Sequence, residues 1–165
     1  MFCDLVGSTP LSEQLDPEEL REVVRAYQEA CTAVIHRFDG YIARYVGDAL
    51  LVYFGYPQAH EDDAQRAVRV GLGIVAALPE LNQRLRPVMG VHGQWKSQAE
   101  APPLQVRIGI HTGLVVVGGL GGKDYREAMA LGETPNLAAR LQGMAAPDTV
   151  VISETTRRLI AGLFT

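Results

Sequence analysis

Two aspartates stand where a carboxylate could do chemistry. Asp48 follows Gly47 between an extended run ending Arg44-Tyr45-Val46 and the apolar run Ala49-Leu50-Leu51-Val52-Tyr53-Phe54. Gly tolerates positive φ and Asp bonds its own backbone, so the stretch reads as a β-hairpin with a carboxylate at its tip. Asp4 is the one charge in the apolar stretch 1–6 and precedes Gly7-Ser8-Thr9. Either aspartate alone would serve as a turn or cap residue. On neighbouring strands the pair could share a divalent cation, because Mg²⁺ takes oxygen ligands and uses one or two carboxylates plus substrate phosphates. Two such ions can activate a hydroxyl and neutralise a phosphoryl transition state. A strand–Gly–helix junction at 5–9 would also turn backbone N–H groups toward a phosphate. Asn136 and Arg140, four residues apart, share a helix face: a solvated pair, or an amide that orients a sugar beside a guanidinium that meets phosphoryl oxygens. Arg107 lies on the strand face opposite Val106 and Ile108, open to water or to a phosphate.

The elements that must position these residues follow from pattern. The run 1–6 predicts a strand, then a short helix capped by Thr9 with Pro10 at its first position. Asp16-Pro17-Glu18-Glu19 combines a cap, an N1 proline and a Glu three residues after the cap. Leu20, Val23, Val24, Tyr27, Cys31, Val34, Ile35 and Phe38 then recur at helical spacing. The hairpin is expected at 41–46 and 49–54. Glu61-Asp62-Asp63 open a helix to about Leu85, its acids matching the helix dipole. Residues 86–103, with His92 and Trp95, read as a flexible loop or a docking arm. Leu104 to Ile110 alternates as a half-buried strand, and Leu114 to Val117 reads as a buried strand ending in a flexible glycine run, 118–122. A further short strand at 126–131, a helix from Thr134 (cap) and Pro135 (N1) to about Met144, a strand at 149–152 and a helix from Ser153 complete the chain. This order predicts an α+β fold, with helices packed against one mostly antiparallel sheet.

The bulk properties narrow the classes. One hundred and sixty-five residues, 47% hydrophobic and 21% charged, suit a single domain spanning 1–165. A net charge of −4 gives no nucleic-acid surface, so no nucleic-acid partner is expected. Cys3 and Cys31 sit in apolar runs and read as reduced core residues, consistent with a cytoplasmic protein. No apolar run is long enough to span a bilayer. His36, His60, His92 and His111 form no ligand spacing, no Ser/His/Asp or Cys/His grouping is suggested, and no Gly-x4-Gly-Lys loop occurs. The abrupt entry into the first strand predicts that an upstream segment is missing.

Four stretches carry a resemblance. Phe2-Cys3-Asp4-Leu5-Val6-Gly7-Ser8-Thr9, Val46-Gly47-Asp48-Ala49, Val106-Arg107-Ile108-Gly109-Ile110-His111-Thr112-Gly113 and Gly132-Glu133-Thr134-Pro135-Asn136-Leu137-Ala138-Ala139-Arg140 resemble, in order, class III nucleotidyl cyclase catalytic domains. Gly55 to Asp63 is similar to a stretch of bacterial adenylyl cyclases. The resemblance implies a ferredoxin-like βαββαβ core with extra strands, and conversion of a nucleoside triphosphate to a 3′,5′-cyclic monophosphate and pyrophosphate. It assigns two Mg²⁺ or Mn²⁺ ions to Asp4 and Asp48, the ribose to Asn136, the transition state to Arg140, a phosphate to Arg107 and the substrate loop to Leu5, Val6, Gly7, Ser8 and Thr9. It further implies a head-to-tail homodimer whose subunits share each active site. Arg44 stands where adenylyl cyclases carry an adenine-reading Lys, and Met129 where they carry an Asp. The family's phosphate-binding Lys would fall beyond Thr165, and with the abrupt first strand the resemblance implies a segment cut at both ends from a larger protein with regulatory domains. ATP is the expected substrate, since Arg44 remains a donor to adenine N1; Arg44 also suits guanine O6 and N7, which keeps GTP open. A degenerate nucleotide-binding dimerisation module would share these motifs. A diguanylate cyclase would need a second acid and a Phe after Gly47-Asp48, where Ala49 and Leu50 stand.

Overall fold

A computed structural model describes residues 1–89, 102–120 and 127–164. In order these form β1 (Phe2–Leu5), α1 (Ser8–Gln14), α2 (Pro17–Arg37), β2 (Tyr41–Val46), β3 (Ala49–Tyr53), α3 (Asp63–Met89), β4 (Val106–Ile110), β5 (Val116–Leu120), β6 (Glu127–Leu131), α4 (Glu133–Met144), β7 (Thr149–Ile152) and α5 (Glu154–Leu159). Five strands join in the order β2-β3-β1-β4-β7. All neighbours are antiparallel except β4 and β7, which run parallel. The unit β1-α2-β2-β3-α3-β4 with spatial order β2-β3-β1-β4 is the expected ferredoxin-like core. β7 extends it, and β5 with β6 makes a separate two-stranded ribbon.

Alternation along the strands decides what each face of the sheet carries. Cys3, Leu5, Leu50, Val52, Val106, Ile108 and Ile110 point to one side and are buried under α2 and α3. From α2 the same core takes Val23, Tyr27, Cys31, Val34 and Ile35, the predicted helical stripe. The other face carries Asp4, Leu51, Arg107 and Gly109, and α4 packs across it. Helix α2 begins as expected: Asp16 is the N-cap, Pro17 is at N1, and the Glu19 carboxylate accepts the Asp16 N–H at 3.1 Å. Among the described residues, no helix is long and apolar enough to cross a membrane.

Several boundaries differ from the sequence expectation. Helix α1 starts at Ser8 after an N-cap Gly7 at φ 70°, so Thr9 is inside the helix and Pro10 occupies its third position, where no intrahelical donor is needed. Helix α4 starts at Glu133 after Gly132, and the Thr134 hydroxyl donates to Leu114 O at 3.0 Å instead of capping. Helix α3 runs four residues past Leu85, through Pro79 and Pro87, because Leu78, Leu81, Leu85 and Met89 continue one buried stripe. The start of the expected 86–103 loop is therefore helical; 90–101, with His92 and Trp95, lies outside the described residues. Strand β4 begins at Val106, since the Asn82 side chain takes both polar groups of Leu104: Leu104 N–H donates to Oδ1 at 2.7 Å and Nδ2 donates to Leu104 O at 3.0 Å.

The stretch Leu114 to Val117 is the largest correction. Leu114 is 99% exposed and Val116 70% exposed, where a buried strand was expected. Leu114 and Val115 precede the strand, and Val116 and Val117 open β5, which pairs with β6 in a ribbon outside the main sheet. Gly118 and Gly119, expected in a flexible run, are part of β5, while Gly121, Gly122 and Arg126 lie outside the described residues.

Candidate active site

Strand pairing brings three of the expected residues together. Asp4 and Arg107 are direct cross-strand partners in β1 and β4, so both side chains leave the sheet on the same face. β3 pairs with β1 on the other side, and the β2–β3 turn carries Asp48 toward Asp4 after Gly47 at φ 62°. Gln28 Nε2 donates to Gly47 O at 3.3 Å and ties that turn to α2.

The electrostatics of the three are unbalanced. Burial, a hydrogen bond with Asp48 and repulsion from Asp48 push the Asp4 carboxyl up to about 6; the Leu5 N–H and the Arg107 guanidinium oppose the rise. Asp48 Oδ2 and Arg107 Nε are both buried and have no hydrogen-bond partner among the described residues. An acceptor oxygen and a guanidinium N–H left unsatisfied beside a carboxyl pair cost free energy unless a ligand meets them. A hard divalent cation fits the oxygen and a phosphoryl oxygen fits the guanidinium. Among the described residues no third His, Cys, Asp or Glu joins the pair, so remaining ligands for a cation would come from main chain, water or substrate. Beside Asp48, an open groove of about 490 Å³ runs past Ser8, Thr9, Ser12 and Arg21. A more enclosed hollow of about 230 Å³, between Leu51, Tyr53, His111 and Thr134, contains neither carboxylate, and the chemistry above places the site at the carboxylates instead.

Helix α4 supplies two opposite faces. Ala138 is buried and Gln142, one turn on, is half-buried; both face the sheet. A Cβ on Gly109 would collide with Ala138 O and Gln142 N, so the missing side chain lets the helix backbone lie directly on β4. Gln142 Nε2 donates to Asp4 Oδ2 at 3.4 Å. Asn136 and Arg140 lie exposed on the far side, since Arg140 and Gln142 are about 200° apart around the helix. Asn136 and Arg140 thus project away from the Asp4–Asp48 pair of their own chain.

The remaining expected residues divide. Leu5 is in the core and the Val6 N–H donates to Gln105 O at 2.8 Å, so neither Leu5's side chain nor Val6's N–H is free for a substrate. Gly7, Ser8 and Thr9 line the first turn of α1. Arg44 is exposed on β2, opposite Leu51 of β3, and Met129 lies in β6 opposite Gly118. Sequence reasoning missed Gly109 and Gln142. Their signals were faint: a glycine in a strand marks close backbone approach, and position 142 repeats Ala138 at i+4.

Residues 1–164 match the family model for the adenylate and guanylate cyclase catalytic domain. The chain is 32% identical over 144 residues to adenylate cyclase 1 of Rhizobium meliloti, covering 87% of this chain and 20% of that protein. It therefore spans about a fifth of that curated relative's length. The crystal structure of the guanylyl cyclase Cya2 superposes with a TM-score of 0.85 at 35% identity, over 96% of this chain and 75% of that one. That of the adenylyl cyclase CyaB from P. aeruginosa gives 0.87 at 30%, over 99% and 80%. Similarity thus extends to cyclases named for either purine, while the strand order, the carboxyl pair and the outward-facing helix pair all occur within the matched stretch. The chain belongs to the class III adenylyl and guanylyl cyclase family, as a catalytic domain.

Proposed function

We propose that the chain converts ATP to 3′,5′-cyclic AMP and pyrophosphate in a homodimer with shared active sites. The observation that carries this reading is the pair of buried unsatisfied atoms, Asp48 Oδ2 and Arg107 Nε, on either side of Asp4. Asp4 and Asp48 would hold Mg²⁺ or Mn²⁺, two per active site; when bound, the cations would acidify the ribose 3′-hydroxyl and neutralise charge on the triphosphate. In the reaction the 3′-oxygen attacks the α-phosphorus, the bond to the β-phosphate oxygen breaks, pyrophosphate leaves, and the hydroxyl proton passes to solvent.

The chain's own residues position and neutralise. Arg107 donates to phosphoryl oxygens from the face it shares with Asp4. Ser8 and Thr9 border the groove that takes the polyphosphate, with Gly7 and the main chain of Leu5 and Val6 leading into it. Asn136 orients the ribose, and Arg140 meets charge that develops as the leaving group departs. Because Asn136 and Arg140 face away from their own carboxyl pair, they serve the partner subunit's site. Arg44 and Met129 contact the purine. Arg44 donates to adenine N1, and Met129 supplies apolar contact where no acceptor for the exocyclic amine stands.

Purified protein given Mn²⁺ and either ATP or GTP tests the reading by quantifying cyclic product. ATP is expected to be the better substrate, and Asp48→Ala to lose about 10²-fold or more of the rate, as removal of several kcal/mol of charge stabilisation requires. Absence of cyclic product from both nucleotides would sink the enzyme claim. Preference for GTP would assign Arg44 to guanine O6 and N7.

A further inference from the structure

Gln142 of α4 brings a side-chain donor from outside the sheet to the carboxyl pair. Its amide meets Asp4 Oδ2 at 3.4 Å from α4, at the long end of the hydrogen-bond range. The contact is held by rigid parts on both sides. Asp4 sits in a strand paired along both edges, to β3 and to β4. Gln142 sits in a helix whose backbone at 138 and 142 rests on Gly109 of β4 with no room for a side chain between them. The root of Gln142 can therefore not leave the sheet without lifting α4, and its amide reaches Asp4 from a fixed backbone position. Its amide is neutral, so it restricts the rotamer of Asp4 without competing as a counter-charge for the cation.

We propose that Gln142 is a positioning residue for the cation site: it fixes the Asp4 carboxylate through Oδ2 and so raises divalent-metal affinity. The inference rests on the reading of Asp4 and Asp48 as metal ligands. Partners that hold a ligand's orientation typically change metal affinity 10–100-fold when removed, and the length of this bond puts Gln142 near the lower figure.

Mn²⁺ binding to the full chain, read as loss of the free-ion EPR signal in the absence of nucleotide, tests the proposal directly. Gln142→Met keeps the stem that packs on β4 and removes the donor; Gln142→Ala removes both. Both variants are expected to weaken Mn²⁺ binding about tenfold, with melting of Gln142→Met unchanged. In turnover the Mn²⁺ concentration for half-maximal rate should rise by the same factor while KM for ATP at saturating metal stays put. Gln142→Met binding Mn²⁺ as wild type does would overturn the proposal, and weakening in Gln142→Ala alone would reduce Gln142 to packing. Asp48→Ala separates the two layers. If it binds Mn²⁺ as tightly as wild type, the carboxyl pair holds no cation and the underlying reading falls with it; if it loses binding while Gln142→Met does not, only the role of Gln142 falls.

Discussion

Replacing Gly109 by Ala adds a single methyl group at the point where α4 touches the sheet. The new Cβ would overlap Ala138 O and Gln142 N, and both are backbone atoms that no rotamer change can move. Gly109 is buried in β4 between two paired neighbours, so the strand cannot retreat either. Relief must come from displacing the helix. Overpacking of this kind costs about 1–3 kcal/mol, from which the lower unfolded-state entropy of Ala returns about 0.4–1 kcal/mol. A net loss of about 1.3 kcal/mol in a domain of this size lowers Tm by about 3–5 °C. Gly143→Ala is the matched control: the same substitution, also in α4, where an added Cβ meets nothing within 4 Å. Helix propensity alone then predicts a gain of up to about 1 kcal/mol. Thermal unfolding of the three proteins in chelator should rank Gly143→Ala at or above wild type and Gly109→Ala well below. Gly109→Ala melting within about 2 °C of wild type would refute the close-packed helix on which the placement of Gln142, Asn136 and Arg140 depends.

Three further outcomes are expected. Asp4→Ala and Arg140→Ala should each be inactive alone, but an equimolar mixture should regain about a quarter of wild-type specific activity, since half the dimers are mixed and each mixed dimer has one intact site; an inactive mixture with confirmed dimers would place each site within one chain. In metal-free protein, the raised carboxyl of Asp4 takes up a proton below about 6 that the unfolded chain takes up only below about 4. Its contribution to stability therefore grows as pH falls from 6 to 4, and the difference in Tm between wild type and Asp4→Asn should change across that window; a constant difference would contradict the coupled pair. Leu114→Ser with Val116→Ser should leave the melting of the monomer within about 2 °C, as for exposed positions generally, and weaken self-association at least tenfold by sedimentation; unaltered association would separate these exposed residues from the dimer contact.

Much of this was written where local chemistry repeats. Asp16, Pro17 and Glu19 announce a helix start by themselves, and the stripe from Val23 to Ile35 can bury only one way. Gly47-Asp48 between two extended runs left little choice but a hairpin, and Asp4 in an apolar run drew attention because the position resists a charge. Other features left no local mark. Gly109 matters through an absence that only α4, about thirty residues later, makes necessary. Leu114 and Val116 look like core because sequence records that a side chain is apolar without recording whether another chain covers it. Leu104 alternates like a strand residue, yet a side chain from α3 had already taken its polar groups. Asn136 and Arg140 were legible as a pair on one face, while the direction of that face needed the packing of Ala138 to define it.

The clamp of Asn82 on Leu104 bears on how such a domain can change over evolutionary time. It closes the chain between α3 and β4 at a fixed point two residues before Val106 and three before Arg107, so the register of that strand is inherited from α3. The clamp holds the two ends of that connection together, Asn82 in α3 and Leu104 before β4, whatever its length. Insertions and deletions there are insulated from Arg107, which makes this connection a natural place for descendants of the domain to acquire new segments without disturbing the strand that pairs with Asp4.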